Sequence, residues 1–271
     1  MLKFSLFEPV TAILRATADD ITEPARRELG TLGVETKPDG SFVTKADRAA
    51  EARLTEQLTA LLPGSKLLGE ETVGNWRTSP LLTDRGDVWI ADPIDGTSQF
   101  IRGEDYGIML ALRRELRIQA AWIYFPVTGD MLFASVDDAT HHIVWAADGT
   151  VSMQRVSIPH RATGDMTLGY HPAERKGEWD LRGETGSLFA ARRCMTCFAT
   201  EVRQMVLAGT YVIDTTYYSP WDSEPTRLIA ERAGAATDFH NVPLSEGPYR
   251  SVIAPHATAR DVVLPVVNAA P

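Results

Sequence analysis

Helix-forming patterns dominate the first sixty residues of the chain. Between residues 5 and 30, apolar side chains recur every three or four positions, and Gly30 is a natural end for a helix. Asp39-Gly40 then predicts a hairpin-like turn. A second helix is expected from about Lys45 to the helix-terminating pair Pro63-Gly64, and its inner side should carry Ala49, Ala52, Leu54, Leu58, Leu61 and Leu62.

The middle of the chain changes to apolar runs that are typical of strands. The segment "KLLGEET" predicts a short strand that runs into two acids, and the run at residues 88–91 leads into Asp92 and Asp95. Turn-forming residues then separate four further runs, which together predict an antiparallel meander between residues 106 and 146: "YGIMLALRRE", "RIQAAWIYF", "DMLFASV" and "HHIVWA".

Strands and helices alternate after Pro159. We expect a strand near residues 166–170, a loop over 172–186, a helix over 199–207, a strand over 210–214, a helix over 221–233, and a last strand and helix between 250 and 267. This change of pattern predicts two halves. Residues 1–155 form an α+β half with the meander, and residues 156–271 form an α/β half.

Composition narrows the class of protein. A chain of 271 residues can bury a large core, and its net charge of -9 argues against nucleic acid as the main partner, because phosphate backbones need a basic face. Cys194 and Cys197 are too few for a disulfide framework. We expect a cytoplasmic protein that does not bind membranes, since the sequence contains neither a secretion signal nor a span of about 20 apolar residues.

Acidic residues stand at the ends of strands or the beginnings of helices in three separate places. They are Glu70 and Glu71, then Asp92 and Asp95, and finally Asp222. Pro93 keeps Asp92 extended, Asp95 suits the N-cap of a helix, and the amides of Gly96, Thr97 and Ser98 suit an anion.

If these acids converge, each like-charged pair ~4 Å apart costs about 4 kcal/mol at an effective dielectric near 20. Hard cations such as Mg²⁺ would offset that cost, since no His or Cys accompanies the acids in sequence. A metal held beside anion-binding amides would make a phosphate site. The alternatives are a solvated surface pair at Glu70-Glu71 and simple helix caps at Asp95 and Asp222.

Four segments resemble the signature elements of the inositol monophosphatase family, within the Mg²⁺-dependent, lithium-sensitive phosphatase superfamily. "WIADPIDGTSQF" is similar to W-x-x-D-P-[IL]-D-G-T-x-N-F, "LLGEE" to the G-E-E element, "VTKADRAAE" to V-T-x-A-D, and "PWDSEPTRLIAERAGA" to the C-terminal W-D element. "AAWIYFPVTGDMLFA" also looks like the strand pair that follows the first motif. The matches run in the family's order from about residue 37 to 239, which makes a chance resemblance improbable.

The resemblance implies a fold and an activity. The implied fold is α+β, a layered αβαβα sandwich of the inositol monophosphatase and fructose-1,6-bisphosphatase type, commonly as a homodimer. The implied activity is that of a phosphomonoesterase with two or three Mg²⁺ ions per active site. Water activated by the metal would attack the phosphorus of a small phosphorylated metabolite.

The resemblance also implies roles for individual residues. Glu70, Asp92, Asp95, Asp222 and the backbone carbonyl of Ile94 match the metal ligands. Asp47 and Thr97 match the pair that orients and activates the attacking water, and Glu71 matches an outer metal ligand or a support for water near the metal. The phosphate cradle corresponds to Gly96, Thr97 and Ser98.

The departures from the family pattern concern substrate recognition. Gln99 replaces the usual Asn, "CMTCFATEV" replaces R-x-x-G-[ST]-A-A, and Glu224-Pro225-Thr226 stands where small residues are usual. The substrate-binding acid of the family would fall near Thr215, with Asp214 one place away. The expected metal chemistry is intact, whereas the substrate pocket is remodelled.

Two other readings therefore stay open. The substrate can instead be histidinol phosphate, a 3′-phosphoadenosine nucleotide or a sugar bisphosphate, because phosphatases for these share the metal core. The chain can also be a degenerate member that senses a phosphorylated ligand without catalysis, a reading that the altered segments motivate.

Overall fold

The N-terminal part of the protein forms a helical layer. The computed structural model describes residues 4–170, 188–215, 219–239 and 251–268. The first predicted helix is interrupted: α1 (Phe7–Thr17) continues through one π-helical turn at Ala18–Thr22 into α2 (Glu23–Arg27). A short hairpin of β1 (Glu35–Thr36) and β2 (Phe42–Val43) contains the predicted turn at Asp39-Gly40, and α3 follows at Lys45–Leu61.

The buried face of α3 differs from the predicted one. Ala49 and Ala52 are exposed, so their assignment to the inner side was wrong. The buried positions in the first turns are instead Ala46, Asp47, Ala50 and Glu51. The apolar pattern missed this face because two of its members are carboxylates, which a hydrophobicity count places outside.

A seven-stranded sheet forms the centre of the molecule. Its strands are β3 (Lys66–Gly69), β4 (Val88–Asp95), β5 (Gly107–Arg114), β6 (Arg117–Phe125), β7 (Asp130–Ser135), β8 (His141–Trp145) and β9 (Val151–Arg155), hydrogen-bonded in that order. Strands β3 and β4 are parallel, and all later neighbours are antiparallel, as the predicted meander requires. Every residue of β4 is buried, which explains the apolar run at residues 88–91.

A five-stranded sheet follows. Its strands are β10 (Thr167–Tyr170), β11 (Ala191–Cys194), β12 (Tyr211–Thr215), β13 (Ala236–Phe239) and β14 (Ser251–Ala254), in the order β11-β10-β12-β14-β13. The helices of this part are α5 (Phe198–Ala208), α6 (Pro220–Arg232) and α7 (Ala257–Asn268), whereas the short α4 (Thr97–Phe100) lies between β4 and β5 of the large sheet. The loop predicted over 172–186 lies outside the described residues.

The hydrophobic clusters define five layers. One cluster joins α1 and α3 to one face of the large sheet, where Trp89, Trp122 and Phe133 are fully buried. A second cluster joins the other face of that sheet to α5, α6 and the small sheet, and a third joins the small sheet to α7. The architecture is therefore the αβαβα sandwich.

The proposed division at residue 155 stays a prediction. Strand β9 ends there, but α5 and α6 pack on strands of both sheets in a single hydrophobic cluster. None of the helices among the described residues has the length and hydropathy that a membrane crossing demands.

Gly107 supplies a test of this layering. The first residue of β5 touches α5 so closely that a Cβ atom there would overlap the side chain of Ala199. We predict that Gly107→Ala lowers the free energy of unfolding by about 1–3 kcal/mol, the usual cost of overpacking a core, in chemical denaturation experiments. Gly164→Ala is the matched control, because nothing lies within 4 Å of that position. Equal stability of the two variants would contradict the packing of α5 on β5.

Candidate metal centre and active site

Three aspartates from two elements meet at one end of the large sheet. Asp92 and Asp95 belong to the last part of β4, and Asp222 lies in the first turn of α6. One carboxylate oxygen from each of these residues lies within 4.8 Å of the other two. Separations of this size allow a single cation to contact all three side chains, so the structure brings together three of the predicted ligands.

Glu70 joins this group from the neighbouring strand. Because β3 is parallel to β4, the two strands deliver the acids that follow them to the same edge of the sheet. The Glu70 amide donates to the Ala91 carbonyl at 3.3 Å, and the carboxyl groups of Glu70 and Asp92 share a hydrogen bond. The four predicted carboxylate ligands therefore lie close together, and the carbonyl oxygen of Ile94 lies 3.2 Å from the Thr97 hydroxyl, whose single proton can go either to this carbonyl or to Asp47 at the same distance.

Burial and mutual repulsion perturb these acids strongly. Burial, followed by the neighbouring carboxylates, raises the pKa of Asp92 and of Asp222 well above the usual range for aspartate. Burial also raises the pKa of Asp95 to about 6. Such carboxylates either take up protons or share a cation that offsets their negative charge. An all-oxygen donor set of this kind fits a hard divalent cation such as Mg²⁺.

The β1–β2 hairpin contributes a cation to the edge of the cluster. Lys37 places its Nζ atom 2.7 Å from Oε1 of Glu70 and 2.8 Å from Oε1 of Glu71. Burial raises the pKa of Glu71 to about 7 against the opposing effect of Lys37. The role implied for Glu71, as an outer ligand or support, stays a prediction.

Asp95 does not cap the helix that follows it, so that expectation was wrong. Gly96 occupies the N-cap position of α4 with φ +89°, a conformation that favours glycine. The Asp95 carboxylate lies instead at the N-terminus of α5. It accepts hydrogen bonds from the backbone amides of Phe198 at 3.2 Å and Ala199 at 2.6 Å. The Cys197 thiol donates to the same carboxylate at 3.1 Å. These donors fix its orientation, and the α5 dipole favours its charge.

Asp47 and Thr97 form the predicted pair. Thr44 is the N-cap of α3, and its backbone amide donates to Oδ2 of Asp47 at 2.8 Å in a capping box. The remaining oxygen, Oδ1, lies 3.2 Å from the hydroxyl of Thr97. Burial raises the pKa of Asp47 to about 6, which suits a group that accepts a proton near neutral pH.

Two departures from the family pattern contact each other across the motif loop. The Ser98 hydroxyl donates a hydrogen bond to Oε1 of Gln99 at 2.8 Å. The side-chain amide of Gln99 in turn donates a hydrogen bond to the hydroxyl of Thr196. A Cβ at Gly96 would stand 2.9 Å from Cys197, so the two loops are also in direct contact. The segment that replaces R-x-x-G-[ST]-A-A therefore packs on the proposed phosphate cradle.

The other divergent positions are described less completely. Asp214 and Thr215 lie in β12, but only their backbone belongs to the described part of the molecule. In α6, the Thr226 hydroxyl donates to the carbonyl of Asp222 at 2.5 Å. The negative charge of Glu224 opposes the fall in the pKa of Arg113 that burial causes.

Sequence reasoning missed three charged residues near the cluster: Lys37, Glu51 and Glu201. Lys37 gave no signal of its own, because a single lysine in a turn is ordinary. Glu51 lies four residues after Asp47, a spacing that places both side chains on one helix face. Glu201 is buried in α5 and accepts the Tyr211 hydroxyl at 3.3 Å.

The amino-acid sequence is similar to a family model and to proteins of known name. The model of the inositol monophosphatase family matches residues 6–262. A histidinol-phosphatase of Mycobacterium tuberculosis is 36% identical over 140 residues, which cover 47% of this chain and about half, 51%, of that protein. An inositol monophosphatase of Dictyostelium discoideum is 25% identical over 214 residues, 76% of this chain and 75% of that protein.

The fold also matches solved structures. An IMPase/NADP phosphatase complexed with Mg²⁺ and phosphate superimposes with a TM-score of 0.77 at 18% sequence identity. The superposition covers 97% of this chain and 96% of that one. This likeness concerns the fold, which is the αβαβα sandwich.

Asp222→Asn tests whether the cluster binds a divalent cation. We predict that Mg²⁺ at a hundredfold excess over its dissociation constant stabilises the wild type by about 2.7 kcal/mol, through preferential binding to the folded state. The variant should gain much less, yet be at least as stable as the wild type in EDTA, because one repulsive charge is gone. Thermal unfolding with and without Mg²⁺ measures both effects. An equal Mg²⁺ response in the two proteins would contradict the site.

Glu201→Gln tests the cost of the buried acid in α5. Burial, followed by the Asp95 charge, raises the pKa of Glu201 from 4.5 to about 8. The unfolded chain ionises first, so this group reduces the free energy of unfolding increasingly as pH rises from about 4.5 to about 8. The variant should therefore be more stable than the wild type near pH 8 and similar to it near pH 4.5. Melting curves in EDTA measure this, with the exposed Glu56→Gln as control. A stability difference between Glu201→Gln and the wild type that did not depend on pH would contradict the prediction.

Proposed function

This chain belongs to the inositol monophosphatase family, and from that premise we propose that it hydrolyses the phosphate monoester of a small metabolite with the help of Mg²⁺. The observation that carries the proposal is the convergence of Glu70, Asp92, Asp95 and Asp222 beside the Asp47–Thr97 pair. A purely structural role would not explain why so many like charges are buried together.

The proposed metal ligands are Glu70, Asp92, Asp95, Asp222 and the carbonyl of Ile94, for two or three Mg²⁺ ions. When bound, the ions supply positive charge that lowers the pKa of water and stabilises the negative charge that develops on phosphate oxygens. Asp92, Ile94 and Asp95 belong to strand β4, and the amides of α5 also hold Asp95, so these three ligands would reorganise little on binding. Glu71 is proposed as an outer ligand or a support for water near the ions.

Asp47 and Thr97 are proposed to orient the attacking water and to accept its proton. The Thr97 hydroxyl donates to Asp47, so its oxygen lone pairs stay available to accept a hydrogen bond from water. Water attacks phosphorus and its proton passes through Thr97 to Asp47, while the ester P–O bond breaks and its electron pair goes to the leaving oxygen, which takes up a proton from a solvent water and departs as the alcohol. The amides of Gly96, Thr97 and Ser98 are proposed to hold the phosphate oxygens during this step.

Substrate selection is proposed to depend on the loop that carries Thr196 and Cys197. Thr196 and Gln99 are hydrogen-bonded where the family signature has smaller residues, so the wall beside the phosphate cradle is bulkier. Asp214 and Thr215 are proposed substrate contacts. Histidinol phosphate is a specific second candidate, since the relative from Mycobacterium tuberculosis is named a histidinol-phosphatase.

The setting of the reaction is also part of the proposal. A cytoplasmic homodimer is proposed from the family resemblance and from the composition of the chain. The net charge of -9 supports a small metabolite rather than nucleic acid as the partner.

A phosphate-release assay with and without Mg²⁺ tests the function. The substrates are inositol 1-phosphate, histidinol phosphate, adenosine 3′,5′-bisphosphate and fructose 1,6-bisphosphate. We expect Mg²⁺-dependent release from at least one of them, and its identity would select between the candidates. Release from none of the four, together with measurable binding of one, would replace the enzyme with a sensor of phosphorylated ligands.

Asp47→Asn tests the proposed base. We predict a fall in kcat of about a hundred- to ten-thousandfold on the best substrate, since Asn cannot accept the proton. Mg²⁺ binding should persist, because Asp47 is not among the proposed ligands, and calorimetry checks this. Asp137→Asn, at an exposed position, is the control. A variant that is folded, binds Mg²⁺ and keeps near-normal turnover would remove Asp47 from the mechanism.

A further inference from the structure

Glu51 is a buried acid behind the loop that carries Glu70 and Glu71. It lies one helical turn after Asp47 on α3, and its side chain is fully buried. Burial raises its pKa above the ordinary value. A carboxylate at such a position is costly unless it is matched by hydrogen-bond donors, so the donors that surround it indicate what it does.

The groups that face the carboxylate belong to the loop that follows β3. The backbone amide of Glu71 donates to Oε2 of Glu51 at 2.8 Å, whereas Oε1 has no hydrogen-bond partner among the described residues. Thr72, the next residue of the loop, opposes the rise in the pKa of Glu51 that burial causes. Glu51 thus fixes the backbone between Glu70 and Glu71, while the bond from the Glu70 amide to the Ala91 carbonyl fixes it one residue earlier.

Gly69 shows how closely the carboxylate and the loop fit. A Cβ atom on Gly69 would overlap the carboxylate carbon of Glu51, so the side chain of Glu51 lies directly against the backbone at the end of β3. The space that any other residue would fill at position 69 is taken by the group that holds the loop. The glycine at position 69 and the buried carboxylate of Glu51 therefore depend on each other.

We propose that Glu51 is a positioning residue, which orients the Gly69–Thr72 loop so that Glu70 and Glu71 face the proposed metal site. It does not itself reach the metal or the substrate. This inference rests on the proposed function for its consequence, whereas its effect on cation binding is measurable without turnover. Replacing an outer-shell partner of this kind typically weakens metal affinity or activity about 10- to 100-fold.

Glu51→Gln is the principal test. The amide keeps the shape of the side chain but removes its negative charge and leaves one acceptor oxygen instead of two, so it holds the Glu71 amide less strongly and the loop should shift. We expect the dissociation constant for Mn²⁺, measured by calorimetry, and the Mg²⁺ concentration for half-maximal phosphate release to rise about 10- to 100-fold. At saturating Mg²⁺, kcat should return toward the wild-type value, with little change in KM for the phosphate ester.

Glu56→Gln is the matched control, because Glu56 is exposed on the same helix. It should bind Mn²⁺ like the wild type. If Glu51→Gln melts at a lower temperature but binds Mn²⁺ with unchanged affinity, Glu51 is only structural and the proposal fails. If Glu51→Gln does not fold, Glu51→Asp replaces it: the shorter side chain keeps the charge but withdraws the carboxylate from the Glu71 amide, so Mn²⁺ binding should weaken in the same direction, and unchanged binding would overturn the proposal.

The outcomes separate this inference from the function. A wild type that releases no phosphate but binds Mn²⁺, with binding weakened by Glu51→Gln, would remove the proposed activity and keep the positioning role. If the wild type has Mg²⁺-dependent phosphatase activity and the Glu51→Gln variant binds the cation with equal affinity, the proposed activity is kept and the positioning role is removed.

Discussion

Repulsion between buried carboxylates is the constraint around which this molecule is organised. Asp92, Asp95 and Asp222 hold oxygens within 4.8 Å of one another, and Glu70 hydrogen-bonds to Asp92. At an effective dielectric near 20, each such pair costs about 4 kcal/mol when both members are charged. A protein of ordinary stability, about 5–15 kcal/mol, tolerates this arrangement only with protonation or with bound cations. The surrounding structure holds these groups in place against that repulsion.

Separate contacts hold several of the acids. Asp95 is fixed by the amides at the beginning of α5, and Asp47 by the capping box with Thr44. Glu70 and Glu71 are fixed by a loop that Glu51 supports from inside and Lys37 contacts from outside. These contacts come from the helical layer, from a hairpin and from a helix between the two sheets. The sandwich therefore positions the site through its layers rather than through one loop.

The sequence predicted the elements well, because those depend on local patterns. The antiparallel meander and the second helix agree with the structure, and Asp92, Asp95 and Asp222 lie together, whereas their role as metal ligands stays a prediction. The errors have a common cause. The inner face of α3 was misassigned at Ala49 and Ala52 because the true face includes Asp47 and Glu51, and Asp95 was assigned to a cap because its real partners lie about 100 residues later in α5. Long-range partners of polar groups are not encoded in spacing.

The position of Asp222 in α6 has a consequence for biosynthesis. About 130 residues separate it from Asp92, so a nascent chain can pair all strands of the large sheet before the last acid has left the ribosome. Until then, only part of the negative charge is gathered, and the emerging intermediate has less need of a counterion. The proposed cation site is thus completed only at the final stage of folding.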